Sequence, residues 1–193
     1  YQKLESLGTG ITSDAGLFRQ MTAFAKTDAY KELKGHRKTF VDDVIQSFEH
    51  SGVNLPPEAL EQFRALKAEI SELSSQYSIN MNSAGEVLVL DETGAEGLPD
   101  NFKVSYKSES GYEIPVMPAT RRPVLNNAVR EETRKAFYIK YQNRGWEKNL
   151  PILDEMIAKR HQLGGLMDYE SYASYTTSRK MSQNPVAVWS FLN

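Results

Sequence analysis

The sequence contains no cysteine, which excludes several kinds of chemistry at once. Disulfide bonds, thiolate zinc sites, iron–sulfur clusters and cysteine nucleophiles all require that residue. A chain without cysteine also fits a reducing compartment, and we therefore expect a cytoplasmic location.

An excess of either charge and a long hydrophobic run are also missing. The formal net charge is −2, so electrostatics gives no reason to expect nucleic acid or an anionic membrane as a partner. No apolar run approaches the roughly 20 residues that cross a bilayer. The first residues, YQKLESLGTG, lack the basic start and apolar stretch of a signal peptide. We therefore expect neither nucleic acid nor a membrane among the partners.

Clustered metal ligands are equally scarce. Two of the three histidines, His36 and His50, fall on one predicted helix but about four turns, or roughly 20 Å, apart. His161 is distant from both in sequence, and no His-x-x-x-His pair occurs. The sequence also lacks a Gly-x-Ser-x-Gly nucleophile motif and a phosphate-binding Gly-x-x-x-x-Gly-Lys loop. The prediction for catalytic residues and for metal ligands in this chain is therefore none, and substrate contacts stay unassigned.

A stripe of tyrosines is the most conspicuous aromatic feature. Tyr169, Tyr172 and Tyr175 recur every three residues. Such a stripe can form an aromatic wall for a substrate, but packing is its more common role, because tyrosine buries a large area while its hydroxyl reaches a polar partner. We therefore favour packing.

The charged pairs are typical of solvated helix faces. Asp42–Asp43 and Glu131–Glu132 point in different directions on their predicted helices, which does not suit paired acid–base work. The basic pair Arg121–Arg122 precedes a proline and is expected at the surface.

Helical periodicity dominates the first part of the chain. Ser13 or Asp14 is expected to cap a first helix, and a second is expected from about residue 28 to residue 50, with Gly52 just past its end. A third helix opens within NLPPEALEQF, with proline in or before its first turn. Its apolar positions have coiled-coil spacing over about two heptads: Phe63, Leu66, Ile70, Leu73 and Tyr77. We expect the second and third helices to form an antiparallel hairpin.

The middle of the chain favours extended structure. EVLVLDE (86–92) is rich in β-branched residues and predicts a strand. GLPDNF (97–102) predicts a turn and one helical turn. GYEIPVMP (111–118) alternates and contains two prolines, which predicts an edge strand or an extended segment. A small two-stranded β element is therefore expected near residues 86–117.

Helices are expected again after the strands. One is predicted over residues 120–144, another from Asn149 and Pro151 to about Gly164, and a third capped by Asp168. The last, NPVAVWSFLN, is short and strongly apolar, and Trp189 and Phe191 need either this chain or a partner to pack against. We predict a mainly α protein, an antiparallel helical array. Its expected divisions are helices over 1–82, strands and a loop over 83–119, and helices over 120–193.

Several of these stretches, read together, resemble the thimet oligopeptidase family of zinc metallopeptidases, which includes oligopeptidase A and the peptidyl-dipeptidases. The early match uses Ser51-Gly52, Leu55-Pro56, Leu73-Ser74, Tyr77 and Asn80, and EGLPDNF (96–102) follows in the same order. The later match is the stronger, and its residues are Arg130, Glu131, Ala136, Phe137, Arg144, Asn149, Ile152, Leu153, Arg160, Leu166, Met167, Tyr169, Tyr172, Ala173, Met181, Pro185, Val188, Phe191 and Leu192. The resemblance covers nearly all of residues 14–192.

Two departures from the family pattern matter. The family has a glycine where this chain has Asp168, which indicates a position that tolerates left-handed backbone. The family's zinc helix, His-Glu-x-x-His with a downstream glutamate ligand, does not occur in this sequence. The resemblance therefore implies that zinc belongs to an intact parent protein and that this chain binds none.

The resemblance implies a function for the parent and a passive role for this chain. The parent would be a metallopeptidase that hydrolyses short unfolded peptides in a deep channel, and this chain would be an inactive fragment of the channel wall. Its partners would be the peptides and the missing C-terminal catalytic domain. The alternative is a stand-alone helical interaction module without peptidase activity. A third possibility, a structural coiled coil, depends on the seam from Phe63 to Tyr77.

Overall fold

The computed structural model describes residues 7, 8 and 10–193 and is predominantly helical. Its helices are α1 (Ala15–Phe24), α2 (Asp28–Lys31), α3 (His36–His50), α4 (Pro57–Asn82), α5 (Asp100–Ser105), α6 (Pro118–Asn127), α7 (Glu131–Gln142), α8 (Trp146–Leu166), α9 (Tyr172–Thr177) and α10 (Pro185–Leu192). Its strands are β1 (Val87–Leu90), β2 (Lys107–Ser108) and β3 (Gly111–Pro115). The mainly α prediction is confirmed.

The chain divides into two compact units. Unit 1 comprises the described residues up to Ser74 together with Asp154–Asn193, and unit 2 comprises Ser75–Leu153. Helices α4 and α8 each contribute to both units. The divisions expected at 1–82, 83–119 and 120–193 stay predictions, as does the antiparallel pairing of α3 with α4.

The first helices of unit 1 begin at side-chain caps. Asp14 accepts a hydrogen bond from the Leu17 amide at 2.8 Å, which confirms it as the cap of α1. The single helix predicted over residues 28–50 is wrong, because α2 stops at Lys31 and α3 starts only at His36. Gly35 separates them with φ +54°, a left-handed conformation that ends right-handed helical geometry.

The turn between α3 and α4 follows the expected glycine signal. Gly52 has φ +78°, and the amide of Val53 donates to the carbonyl of Phe48 at 3.2 Å. Phe48 is buried, and its ring centroid lies 5.9 Å from that of Phe18 on α1. On α4 the buried members of the predicted seam within unit 1 are Phe63 and Ile70.

Unit 2 contains a three-stranded antiparallel sheet in the order β1-β3-β2. The two predicted strands pair with each other in the register Val87↔Pro115 to Leu90↔Tyr112. The edge position predicted for residues 111–118 is wrong, since β3 is the central strand.

Proline is tolerated in the central strand because β2 is very short. The amide of Glu113 donates to Tyr106 on the β2 side, and that of Val116 donates to Glu86 on the β1 side. Successive amides alternate in direction, so the amide that Pro115 lacks would face the β2 side. Strand β2 pairs only with Gly111 and Tyr112 and ends before that point, so no ladder hydrogen bond is lost.

The core of unit 2 lies between the sheet and helices α6 and α7. Its buried residues are Leu88, Leu90, Ala95, Leu98, Tyr112, Ile114, Val116, Val124, Ala128 and Phe137. The helix predicted over 120–144 is wrong, because Ala128 adopts an extended conformation between α6 and α7. There the amide of Val129 donates to the carbonyl of Glu96 at 3.0 Å, and Arg134 donates to the carbonyl of Ala128. These bonds replace the helical ones.

Two later boundaries also differ from the sequence prediction. Helix α8 begins at Trp146 rather than at Asn149, and Pro151 lies inside it. Asp168 has φ +61°, which confirms the tolerance for left-handed backbone, but the side-chain cap of α9 is Ser171. The start of α10 is as predicted, with Asn184 accepting from the Ala187 amide at 2.8 Å.

Candidate functional site

The residues that could bind a metal do not converge. In the part of the chain that the structure describes, no group of three or more histidine, aspartate or glutamate side chains is placed to hold an ion. His36 and His161 are exposed, whereas His50 is half-buried at the end of α3. No helix among the described residues combines the length and apolar character needed to cross a membrane.

The charged pairs lie at the surface or bind locally. Asp42 accepts a hydrogen bond from the Tyr30 hydroxyl and lies 3.8 Å from the ammonium group of Lys38. Arg121 and Arg122 are exposed. Thr9, within the GTG stretch of residues 8–10, lies outside the described residues.

His50 and Tyr175 form a reciprocal interlock within unit 1. The Nε2 group of His50 donates to the carbonyl of Tyr175 at 2.9 Å, and the Tyr175 hydroxyl donates to the carbonyl of His50 at 2.8 Å. Their rings stack with centroids 4.0 Å apart and planes 12° from parallel. The interlock joins the end of α3 to α9.

The tyrosine stripe packs together around this interlock. The Tyr175 ring is buried, and its centroid lies 5.5 Å from that of Tyr169 and 5.8 Å from that of Tyr172. Burial also raises the pKa of the Tyr175 hydroxyl well above its usual value of 10.0. The predicted packing role is therefore seen for Tyr175, whereas Tyr172 is only half-buried.

A cleft of about 490 Å³ opens beside the interlock. It is lined by Gly8, Thr12, His50, Ser51, Phe63, Lys67, Tyr172, Tyr175, Thr176 and Lys180. Phe63 and Lys67 are four residues apart on α4, as Tyr172 and Thr176 are on α9, so each pair shares one helix face. The cleft, which we call the tyrosine cleft, therefore has walls from two helices and is the candidate functional site.

The charge around the tyrosine cleft is positive. Lys67 and Lys180 line it, and none of the described residues that line it is acidic. The pKa of His50 is lowered mainly by burial, and the positive charges of Arg179 and Lys67 lower it further. Arg179 itself donates to the backbone carbonyl of Asp43 at 3.1 Å, so this bond leaves its charge uncompensated.

A second feature of unit 1 is the apolar surface of α10. Trp189 is 64% exposed and Phe191 is 88% exposed, and Val186 and Leu192 are exposed as well. The sequence left open whether Trp189 and Phe191 pack on this chain or on a partner. The structure does not show these side chains packed on this chain.

Unit 2 contains a buried amide pair. The Nδ2 group of Asn80 donates to Oδ1 of Asn149 at 2.9 Å, and the Nδ2 group of Asn149 donates to the carbonyl of Tyr77 at 3.1 Å. A Cβ atom at Gly145 would lie only 2.9 Å from the carbonyl oxygen of Asn80, so glycine permits this close approach of α4 and the start of α8. Asn149 therefore links helices rather than opening one.

Comparison with known proteins finds similarity to a family of peptidases. Residues 124–193 match the model of Peptidase family M3. Over 98% of its length the chain is 30% identical to oligopeptidase A of Salmonella typhimurium. Residues 124–193 therefore carry the sequence pattern of this peptidase family, and the chain is similar to oligopeptidase A over nearly its whole length. It is also similar to the probable thimet oligopeptidase of Arabidopsis thaliana, at 29% identity over 84% of this chain, and to saccharolysin of Saccharomyces cerevisiae, at 25% identity over 99% of it.

The chain covers only part of each M3 relative. It spans 30% of the Salmonella oligopeptidase A, 23% of the Arabidopsis protein and 28% of saccharolysin. These comparisons show that the chain is similar to part of several peptidases.

Three residues of the family pattern in this chain build the fold. Phe137 is completely buried, Asn149 is 3% exposed, and the guanidinium carbon of Arg144 lies 3.7 Å from the centroid of the Tyr141 ring. Sequence reasoning missed the tyrosine cleft because its lining comes from segments far apart in sequence. The sequence did contain one relevant pattern, the tyrosine stripe, because Tyr172 and Tyr175 line the cleft.

Proposed function

We propose that this chain belongs to peptidase family M3, is a non-catalytic part of a zinc-dependent oligopeptidase, and forms part of the wall of the channel in which short, unfolded peptides are hydrolysed. One observation carries the proposal. Nearly the whole chain aligns with oligopeptidase A, yet it spans only 30% of that protein. The catalytic domain is then the chief partner of this chain, and a cytoplasmic location is part of the same proposal.

The zinc ion of the proposed enzyme does not fit the described residues of this chain, because no suitable ligand group is present among them. We therefore assign it no ligand here and route no step through it.

The proposed contribution of this chain is geometric. Helices whose side chains are buried in a core and whose ends are hydrogen-bonded present a surface of fixed shape. A channel wall of fixed shape can admit an extended peptide and exclude a folded protein. Contacts to such a peptide would use apolar rings and backbone groups, so they would be broad in specificity.

The activity part of the proposal is tested on the chain itself. The purified chain is dialysed against zinc, its metal content is measured by mass spectrometry, and a fluorescence-quenched peptide is offered as substrate. We expect no stoichiometric zinc and no hydrolysis, while an intact oligopeptidase A cleaves the peptide in the same buffer. Hydrolysis that a chelator abolishes, with one zinc per chain, would contradict the proposal.

The wall part of the proposal needs a longer protein. The reading frame is followed past the codon of Asn193, and we expect a His-Glu-x-x-His motif downstream in the same frame. A stop codon at that point would instead support the second candidate function.

The second candidate is a helical interaction module without peptidase activity. The exposed apolar residues of α10 favour it, because an apolar helix face of this kind is typical of a binding surface. The two candidates differ in the partner, which is the enzyme's own catalytic domain in the first and another protein in the second.

A further inference from the structure

The tyrosine cleft has the chemistry of a site for an anion that carries an apolar group. Its volume of about 490 Å³ lies within the range of about 300–1,000 Å³ that is usual for ligand pockets. Its described lining includes three aromatic residues, Phe63, Tyr172 and Tyr175, of which Tyr172 is half-buried and the other two are buried. The lining also includes two lysines, Lys67 and Lys180.

The positive charge in the cleft is not neutralised by the ion pairs that the structure describes. None of the ion pairs found between residue 7 and residue 193, Thr9 excepted, includes Lys67, Lys180 or Arg179. Lys67 is nevertheless half-buried. A half-buried ammonium group that forms no ion pair with the described residues is less stable than a paired one, so an anion that enters the cleft gains a favourable interaction.

The combination of aromatic residues and lysines in the lining narrows the class of ligand. Free phosphate would use the ammonium groups and leave the rings uncovered. An aspartate or glutamate side chain offers a carboxylate without an apolar group. The last residue of a peptide carries both its carboxylate and its side chain on one Cα atom, and this combination matches cations that lie beside aromatic rings.

We propose that the tyrosine cleft binds the C-terminal carboxylate of a short peptide between Lys67 and Lys180, with the terminal side chain packed on the half-buried ring of Tyr172. The choice of a peptide rests on the proposed function. The Tyr172 hydroxyl, for which the described residues show no hydrogen bond, is available as a further donor to the carboxylate.

A matched pair of probes tests the proposal on the full chain. N-acetyl-Ala-Phe with a free carboxylate and the same peptide as its amide are titrated separately into ¹⁵N-labelled protein. We expect the acid to bind at least about tenfold more tightly than the amide, because charge-assisted hydrogen bonds are lost in the amide. The shifted resonances should cluster at His50, Lys67 and residues 172–180. Added salt should weaken the binding of the acid and leave that of the amide unchanged.

Variants then assign the charge. Lys67→Met with Lys180→Met keeps the apolar stems and removes both ammonium groups, so the affinity for the acid should fall to that for the amide. Lys135→Met, on an exposed position of unit 2, is the control and should bind as the parent chain does. Circular dichroism confirms that each variant is folded, and Lys67→Gln with Lys180→Gln replaces the pair if the methionine variant is not.

Three results would overturn the inference: equal affinity for acid and amide, an unchanged affinity in a folded double variant, or displacement of the acid by inorganic phosphate at equal concentration. None of them involves hydrolysis. A chain that binds the acid and also cleaves peptides would retain this site and lose the proposed function, whereas a chain that does not discriminate and does not cleave would lose only this site.

Discussion

His50 couples the interlock in unit 1 to pH. Its pKa is lowered from 6.5, mainly because burial disfavours the charged ring, and the folded state therefore binds fewer protons than the unfolded state at mildly acidic pH. The stability that this group contributes is present above pH 6.5 and is lost as the pH falls below that value. We therefore expect the free energy of unfolding, measured by urea denaturation, to decrease as the pH is lowered from 6.5.

The control for this effect is His50→Gln, which can still donate to the Tyr175 carbonyl but does not titrate. Carboxylates and the other histidines contribute equally in both proteins, so the difference between the two pH profiles isolates His50. Parallel profiles for the parent chain and the variant would refute the assignment.

The buried amide pair of unit 2 gives a second prediction at the residue scale. Asn149→Leu leaves the Nδ2 group of Asn80 buried without its acceptor, and an unsatisfied buried group costs about 1–3 kcal/mol. We expect a loss of about 2 kcal/mol in the free energy of unfolding. The exposed substitution Asn126→Leu should change it by less than about 0.5 kcal/mol.

A double variant sharpens that test. Asn80→Leu with Asn149→Leu removes both amides and leaves neither of them unsatisfied, so the two substitutions together should cost less than the sum of the single ones. Strict additivity would show that the amide pair does not stabilise the unit.

At the scale of the helices, the break between α6 and α7 depends on Gly97. A Cβ atom there would lie 2.3 Å from the carbonyl oxygen of Asn127, and φ is +85°. Gly97→Ala should therefore lower the free energy of unfolding by more than about 1 kcal/mol. Gly165→Ala, within α8 and with no atom within 4 Å of the added Cβ, should instead raise it by about 0.5–1 kcal/mol. Equal effects in thermal or urea unfolding would mean that the close approach at Gly97 is not rigid.

The same break shows where sequence reasoning stops at this scale. The apolar residues between positions 120 and 144 fit one helical period, and they predicted one helix. The hydrogen bond from the Val129 amide to the Glu96 carbonyl accompanies the break, and sequence reasoning could not foresee it because it joins residues distant in sequence. Capping residues act locally, and for that reason Asp14 and Asn184 were placed correctly. The central position of β3 also escaped prediction, because it depends on how far β2 extends.

For the whole molecule, the similarity to peptidase family M3 could be predicted from collinear motifs, but the candidate site could not. The motif residues Phe137 and Asn149 are buried and hold the fold, so they report ancestry rather than chemistry. The tyrosine cleft brings Lys67 of α4 together with Tyr172 and Lys180. A single lysine in a helical stretch does not indicate which distant residues it will lie beside.

The exposed apolar face of α10 gives the last prediction. Because Trp189 and Phe191 are largely exposed in this chain, Trp189→Ser with Phe191→Ser should change its free energy of unfolding by less than about 0.5 kcal/mol. Phe137→Ala, at a fully buried position, should lower it by about 3–5 kcal/mol. In a longer peptidase in which a catalytic domain covers α10, the same double substitution should destabilise the protein, because it would then remove buried area. Urea denaturation of the chain and of such a longer protein measures both effects. A large loss in this chain alone would mean that α10 packs against it in solution, and the catalytic domain would then not be needed to cover that face.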